Sequence, residues 1–190
     1  MLDAAWDLLE RSDGSALTMA AVAEAAGTSR RGLYLHFSSR GQLFMSLVPH
    51  INETLGLEES LRPLRQAPDA LAMLDAFADH VAHYHSRMVA IVRAVDRSRH
   101  TDPDAAALWT SATTLWHDSC LSLATRLAEE GRLADEWTPA TAADLLWALM
   151  SVELLDDLVG DRGWSVDDYA ARLRALMRRT LCDVDRRRER

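Results

Sequence analysis

Apolar residues recur at intervals of three and four from Leu2 to Leu181, and this periodicity limits the chain to an all-α fold. Alternating runs of β-branched residues are absent, and Pro and Gly fall between the periodic stretches. A first helix is expected over about 2–12, with Leu2, Ala5, Trp6 and Leu9 on one face and Asp13-Gly14-Ser15 ending it. Thr18 is a good N-cap for a second helix, through which Met19, Val22, Ala23 and Ala26 run at helical spacing. Gly27 is placed to end that helix in a left-handed conformation, and Ser29 to cap a third, in which Leu33 and Phe37 face inward. A fourth helix starts at Ser38-Ser39 and runs through Leu43, Phe44 and Leu47, and Pro49 is expected to kink or end it. Irregular sequence from Arg62-Pro63 to Pro68 precedes further helices at about 69–85, 87–99, 104–130, 139–160 and 165–183.

Two short helices joined by a Gly-containing turn, with a third packed across them, form a helix-turn-helix. The second helix of such a unit lies in the major groove, so its outward residues must be polar or small and its inward ones apolar. Here Arg30, Arg31, Gly32, Tyr34 and Leu35 point out while Leu33 and Phe37 point in. Arginines on the first turn can reach guanine edges, Tyr34, His36 and Ser29 can bond phosphates, and Gly32 allows close backbone approach. The net charge of −8 is no obstacle, because no Asp or Glu occurs between Ala25 and Asn52, a window that holds Arg30, Arg31 and Arg40.

The stretch Thr18 to Phe44 closely resembles the DNA-binding head of the tetracycline-repressor (TetR) family. The matching residues are Thr18, Val22-Ala23, Ala26-Gly27-Thr28-Ser29, Leu33-Tyr34-Leu35-His36-Phe37 and Ser39-Arg40-Gly41-Gln42-Leu43. The resemblance implies backbone contacts from Thr18, Ser29, Tyr34 and His36, with Thr28 beside them, and base reading from Arg30, Arg31 and Gly32. Arg40 stands where the family usually has lysine, near a phosphate. Thr28 replaces the usual valine and Gly41 the usual glutamate. The chain also starts directly in helix 1, so either its start is trimmed or it lacks the basic arm that most members carry. A head at 1–47 joined to an effector-binding and dimerisation domain at 48–190 is the expected organisation.

The helix at 139–160 is apolar on more than one face, which packing on a single core does not require. Leu145, Leu149, Met150 and Val152, with Tyr169, Leu173 and Leu176 of the last helix, are the candidate dimer interface; a thicker monomer core is the alternative. A two-fold dimer suits a palindromic double-stranded DNA operator. Trp109, Trp116, Met73, Phe77, Tyr84, Met88 and Trp147 are candidates to line an apolar effector pocket together, with His80 as a polar anchor; taken singly, ordinary core packing explains most such residues. Glu153, an acid in a very apolar helix, is read as a partner across the dimer or a ligand anchor, and Arg186 to Arg188 as a solvated tail.

Several classes are not expected. His80 and His83 lack matching ligands, so neither a metal nor a cofactor is assigned. No Gly-x-Ser-x-Gly, P-loop or zincin motif supports an enzyme. No apolar run reaches membrane-spanning length, and Asp3, Asp7 and Glu10 interrupt any secretion signal, so a cytoplasmic protein is expected. Cys120 and Cys182 suit buried thiols in a reducing compartment. The functional expectation is therefore a dimeric, ligand-responsive repressor released by a small apolar or aromatic effector, with a constitutive DNA-binding protein as the nearer rival.

Overall fold

The computed structural model describes residues 1–12 and 17–183. The expected helix stop at Asp13-Gly14-Ser15 and the tail arginines 186–188 lie outside the described residues. Among those residues the chain is helical without a strand, as its periodicity predicts; one isolated antiparallel bridge joins Leu133 to Cys182. The helices are α1 (Leu2–Ser12), α2 (Met19–Ala25), α3 (Arg30–His36), α4 (Arg40–Thr54), α5 (Leu57–Arg65), α6 (Ala70–His83), α7 (Val89–Ser98), α8 (Pro103–Glu129), α9 (Pro139–Leu149), α10 (Val152–Leu155) and α11 (Val166–Leu181).

These helices form two compact units, Met1–Leu57 with Arg87–Thr113, and Glu58–Ser86 with Thr114–Arg190. The expected boundary after residue 47 falls inside α4. In the first unit α1 to α4 enclose Leu9, Val22, Leu33, Leu43 and Leu47, each fully buried. α7 packs against α1 and α4 through a face that includes Ile91 and Val95, so a segment remote in sequence completes this core. In the second unit α6 and α11 pack against each other, and ion pairs Asp75–Arg178, Asp79–Arg174 and His83–Asp167 line their contact. Leu74, Leu123, Leu127, Leu146 and Met177 fill its core.

Three helix limits differ from expectation. α4 continues through Pro49 to Thr54, and α5 forms through Pro63. Both prolines are exposed, so each costs a backbone hydrogen bond without burying an orphaned carbonyl. The helix expected over 139–160 breaks at Met150–Ser151 into α9, α10 and a π turn over Asp156–Asp161. Ser151 leaves helical geometry at ψ 126 and its Oγ accepts the Leu154 N–H at 3.3 Å, capping α10. Glu153 thus sits in a first helical turn, exposed, accepting from Ser151 Oγ at 2.7 Å; it is not an acid embedded in apolar helix.

Candidate nucleic-acid interface and effector core

The recognition region is positioned by its caps. Thr18 Oγ1 accepts the Ala21 N–H at 3.1 Å and starts α2. Gly27 ends that helix at φ +63, a left-handed backbone that glycine adopts without strain. Ser29 Oγ then accepts the Gly32 N–H at 3.0 Å and starts α3. Such a cap stabilises a helix by about 1 kcal/mol, which matters for one of only seven residues. Leu33 is fully buried and anchors α3 from beneath, at about 1.5–3 kcal/mol for such a side chain.

The opposite face of α3 is open. Ser29, Arg30, Arg31, Tyr34, Leu35 and His36 are exposed, Leu35 at 80%. Thr18 is exposed as well, while Thr28, Gly32 and Arg40 are half-buried. Gly32 has a reason internal to the protein: a Cβ there would lie 2.7 Å from Thr28 Oγ1 and 3.3 Å from Ser29 Oγ. The Arg40 guanidinium lies 6.0 Å from the centre of the Phe44 ring. All nine candidate DNA-binding residues therefore share one turn-and-helix region or flank it. Leu35, which sequence alone leaves without a role, is an exposed apolar group of the kind that meets a thymine methyl.

At its N-terminus α4 is held by two carboxylates. Gly41 N–H donates to Asp102 Oδ2 at 2.9 Å, and Ser39 Oγ donates to Asp104 Oδ2 at 2.7 Å. Ser39 Oγ also accepts the Gln42 N–H, and Gln42 Oε1 accepts the Ser38 N–H.

The second unit holds a cluster of rings. His80 stacks on Tyr84 with centroids 5.1 Å apart, and His85 meets His80 edge-on at 5.3 Å and Trp116 at 5.8 Å. Ser60 Oγ lies 2.8 Å from His80 Nδ1, and His85 hydrogen-bonds the Met150 carbonyl. Burial, and then its neighbour His85, pushes His80 down to about 3; burial pushes His85 down to about 4. Both imidazoles are therefore neutral at pH 7. Burial likewise raises the Cys120 thiol to about 12, which makes it an inert core group.

Of the residues expected to line a pocket, His80, Tyr84 and Trp116 belong to this cluster, to which His85, unremarked in the sequence, must be added. Phe77 is buried on α6, and Met73 receives the Arg126 guanidinium at 3.7 Å from its sulfur. Trp147 is 43% exposed and lines no core. Met88 and Trp109 belong to the other compact unit, where Trp109 lies 4.8 Å beneath the Arg99 guanidinium. A surface groove in the second unit runs along α8, lined by residues such as Asp118, Leu121, Thr125 and Glu129, and it includes none of the expected pocket residues.

The candidate interface residues separate by burial. Met150, Val152, Tyr169 and Leu173 are buried within the single chain, because the break after α9 and the packing of α11 on α6 turn them inward. Leu145 and Leu149 are half-buried, and Leu176 is 49% exposed.

Residues 1–47 match the profile of bacterial regulatory proteins of the tetR family. Over 55 residues the chain is 42% identical to the nucleoid occlusion factor SlmA of Alteromonas mediterranea, an alignment that covers 29% of this chain and 28% of that protein. The chain thus spans less than a third of the length of the curated relatives it matches. Its fold is similar along nearly its whole length to a transcriptional regulator from Saccharomonospora viridis solved with choline, at TM-score 0.78 and 19% identity over 96% of this chain and 95% of that one. It is similar also to NalD, the secondary repressor of the MexAB-OprM efflux pump in Pseudomonas aeruginosa, at TM-score 0.70 and 22% identity over 97% and 94%. Residues 1–47 therefore match the tetR family of bacterial regulatory proteins, whose members are DNA-binding transcription regulators with a helix-turn-helix, and the described residues carry the fold of such regulators.

Proposed function

We propose that the protein is a dimeric, ligand-responsive transcriptional repressor acting in the cytoplasm on a palindromic operator, and not an enzyme. The observation that carries this reading is the face of α3. It pairs exposed Arg30 and Arg31 with hydrogen-bonding Ser29, Tyr34 and His36 over a buried Leu33. In the major groove Arg30 and Arg31 read base edges, and Gly32 lets the helix approach closely. Thr18, Thr28, Ser29, Tyr34, His36 and Arg40 fix the register on phosphates.

Leu145, Leu149 and Leu176 supply the dimer interface, with exposed Trp147 joining them. The ring cluster of His80, Tyr84, His85 and Trp116, with Phe77 and Met73, is the effector site, and its neutral imidazoles suit an apolar or aromatic molecule with one polar end. Met88 and Trp109 belong to the other compact unit and are not assigned to this site. Nucleoid occlusion factors share the head, so the head alone does not choose between a ligand-responsive and a constitutive protein. The buried polar rings favour the ligand-responsive reading, and the similar regulator from S. viridis, solved in complex with choline, supports it.

Selection of duplexes from a randomised library by the full chain tests the reading. An inverted repeat bound by two chains per duplex is expected. Enrichment of an asymmetric site, or of none, contradicts it.

A further inference from the structure

α3 and α4 are separated by only Phe37, Ser38 and Ser39, so whatever fixes the start of α4 also fixes the end of α3. That start is met by the first turn of α8. Asp102 joins the two helices with one carboxylate. Its Oδ2 accepts the Gly41 N–H at 2.9 Å, and its Oδ1 accepts the Asp104 and Ala105 N–H groups at 3.0 and 3.2 Å. A helix N-terminus leaves several N–H groups without partners, and here one carboxylate accepts three of them, from the starts of two helices.

The approach is too close for any side chain at residue 41. A Cβ on Gly41 would collide with Asp102 Oδ1 and Asp104 Cβ and lie 2.8 Å from the Ala105 backbone nitrogen. The last of these is main chain and cannot rotate away. Gly41 is buried and Ala105 fully buried, so the junction is closed. A glutamate at residue 41, like any residue with a Cβ, is therefore excluded by the bridge itself.

We infer that Asp102 is a positioning residue for DNA reading: by bridging the starts of α4 and α8 across Gly41, it sets the angle at which α3 meets the groove. This rests on the reading of α3 as the DNA-binding helix. Displacing a reading helix by about 1 Å misaligns bidentate contacts and erodes sequence discrimination before it erodes phosphate attraction.

Asp102→Asn isolates the bridge. An amide has one acceptor oxygen, so asparagine can cap α8 or accept from Gly41 but cannot do both. Asparagine is as good an N-cap as aspartate, so α8 itself survives. Removing an acid from the DNA-binding unit also strengthens phosphate attraction on Coulombic grounds, so any loss of affinity must come from geometry.

The experiment measures binding of full-length wild type, Asp102→Asn and Gly41→Ala to the duplex enriched by wild type and to a random duplex. Far-UV circular dichroism, thermal melting and exchange of the Gly41 amide accompany it. For Asp102→Asn we expect at least a ten-fold loss on the enriched duplex, a narrowed enriched-to-random ratio, faster Gly41 exchange, and a melting point within about 4 °C of wild type. Gly41→Ala shifts the same readouts further. Wild-type affinity and ratio in Asp102→Asn overturn the proposal, and so does a loss that only tracks lowered helicity and melting point. If wild type enriches no duplex, the DNA reading falls and takes this one with it. If wild type enriches a duplex and Asp102→Asn binds it equally, only the positioning role falls.

Discussion

α3 and the ring cluster around His80 treat polar groups in opposite ways. α3 holds Arg30, Arg31, Tyr34 and His36 in solvent over one buried leucine, whereas His80 and His85 are buried among aromatic rings. A surface that is already solvated binds a charged polymer without losing internal contacts. A buried polar cluster instead admits a ligand only by exchanging contacts that the protein already makes. The first arrangement suits a permanent reader and the second a switch.

The sharpest way to break this comparison lies in the second unit. Met150 is 8% exposed, with its sulfur 3.5 Å from Cys120 Sγ, while Leu176 is 49% exposed. Met150→Arg should cost more than about 4 kcal/mol and unfold the chain. Leu176→Arg should keep the fold and yield monomers in sedimentation at micromolar concentration. A folded Met150→Arg protein would place that residue outside the core, and a dimeric Leu176→Arg protein would place the interface elsewhere than this face of α11.

Acid titration sharpens the contrast at smaller cost. His80 and His85 titrate at about 3 and 4 when folded, below the ordinary 6.5. The unfolded chain takes up these protons as pH falls through about 6.5, while the folded chain does not until near 4. The contribution is therefore fully present above about 6.5 and is lost as pH falls, by about 1.4 kcal/mol per pH unit for each histidine. His83 has the opposite sign, raised chiefly by its hydrogen bond to Asp167, but it is half exposed and weak. Melting points at pH 7 and pH 5 should fall less for His85→Asn than for wild type. Equal falls would mean that His85 is not held neutral.

Much of the head was legible because its determinants are local. Thr18, Gly27 and Ser29 each act within three or four residues of themselves, and their caps and turn formed where the spacing put them. The bridge at Gly41 was visible only as a missing glutamate, because its partner Asp102 lies 61 residues away. In the second unit the break at Met150–Ser151 was hidden by apolar residues on both sides, Leu145 to Met150 before it and Val152, Leu154 and Leu155 after it. It depends on a serine cap and on His85 engaging the Met150 carbonyl. Apolar periodicity reported that Tyr169 and Leu173 are buried, but not against what; they face their own chain's core. Trp109 and Trp147 show the same limit, since one lies under an arginine in the first unit and the other is exposed.

The central claim, that α3 reads sequence with Arg31 and holds phosphate with Tyr34, is tested most directly by comparing Arg31→Ala with Tyr34→Phe. Each is titrated against the enriched duplex and against duplexes substituted at single base pairs. Arg31→Ala should lose discrimination at one base pair per half-site, by about 1–3 kcal/mol, and bind the substituted duplexes nearly as well as the enriched one. Tyr34→Phe should weaken all duplexes by a similar factor and leave their ranking unchanged. The same response from both variants, or unchanged discrimination in Arg31→Ala, would contradict the account.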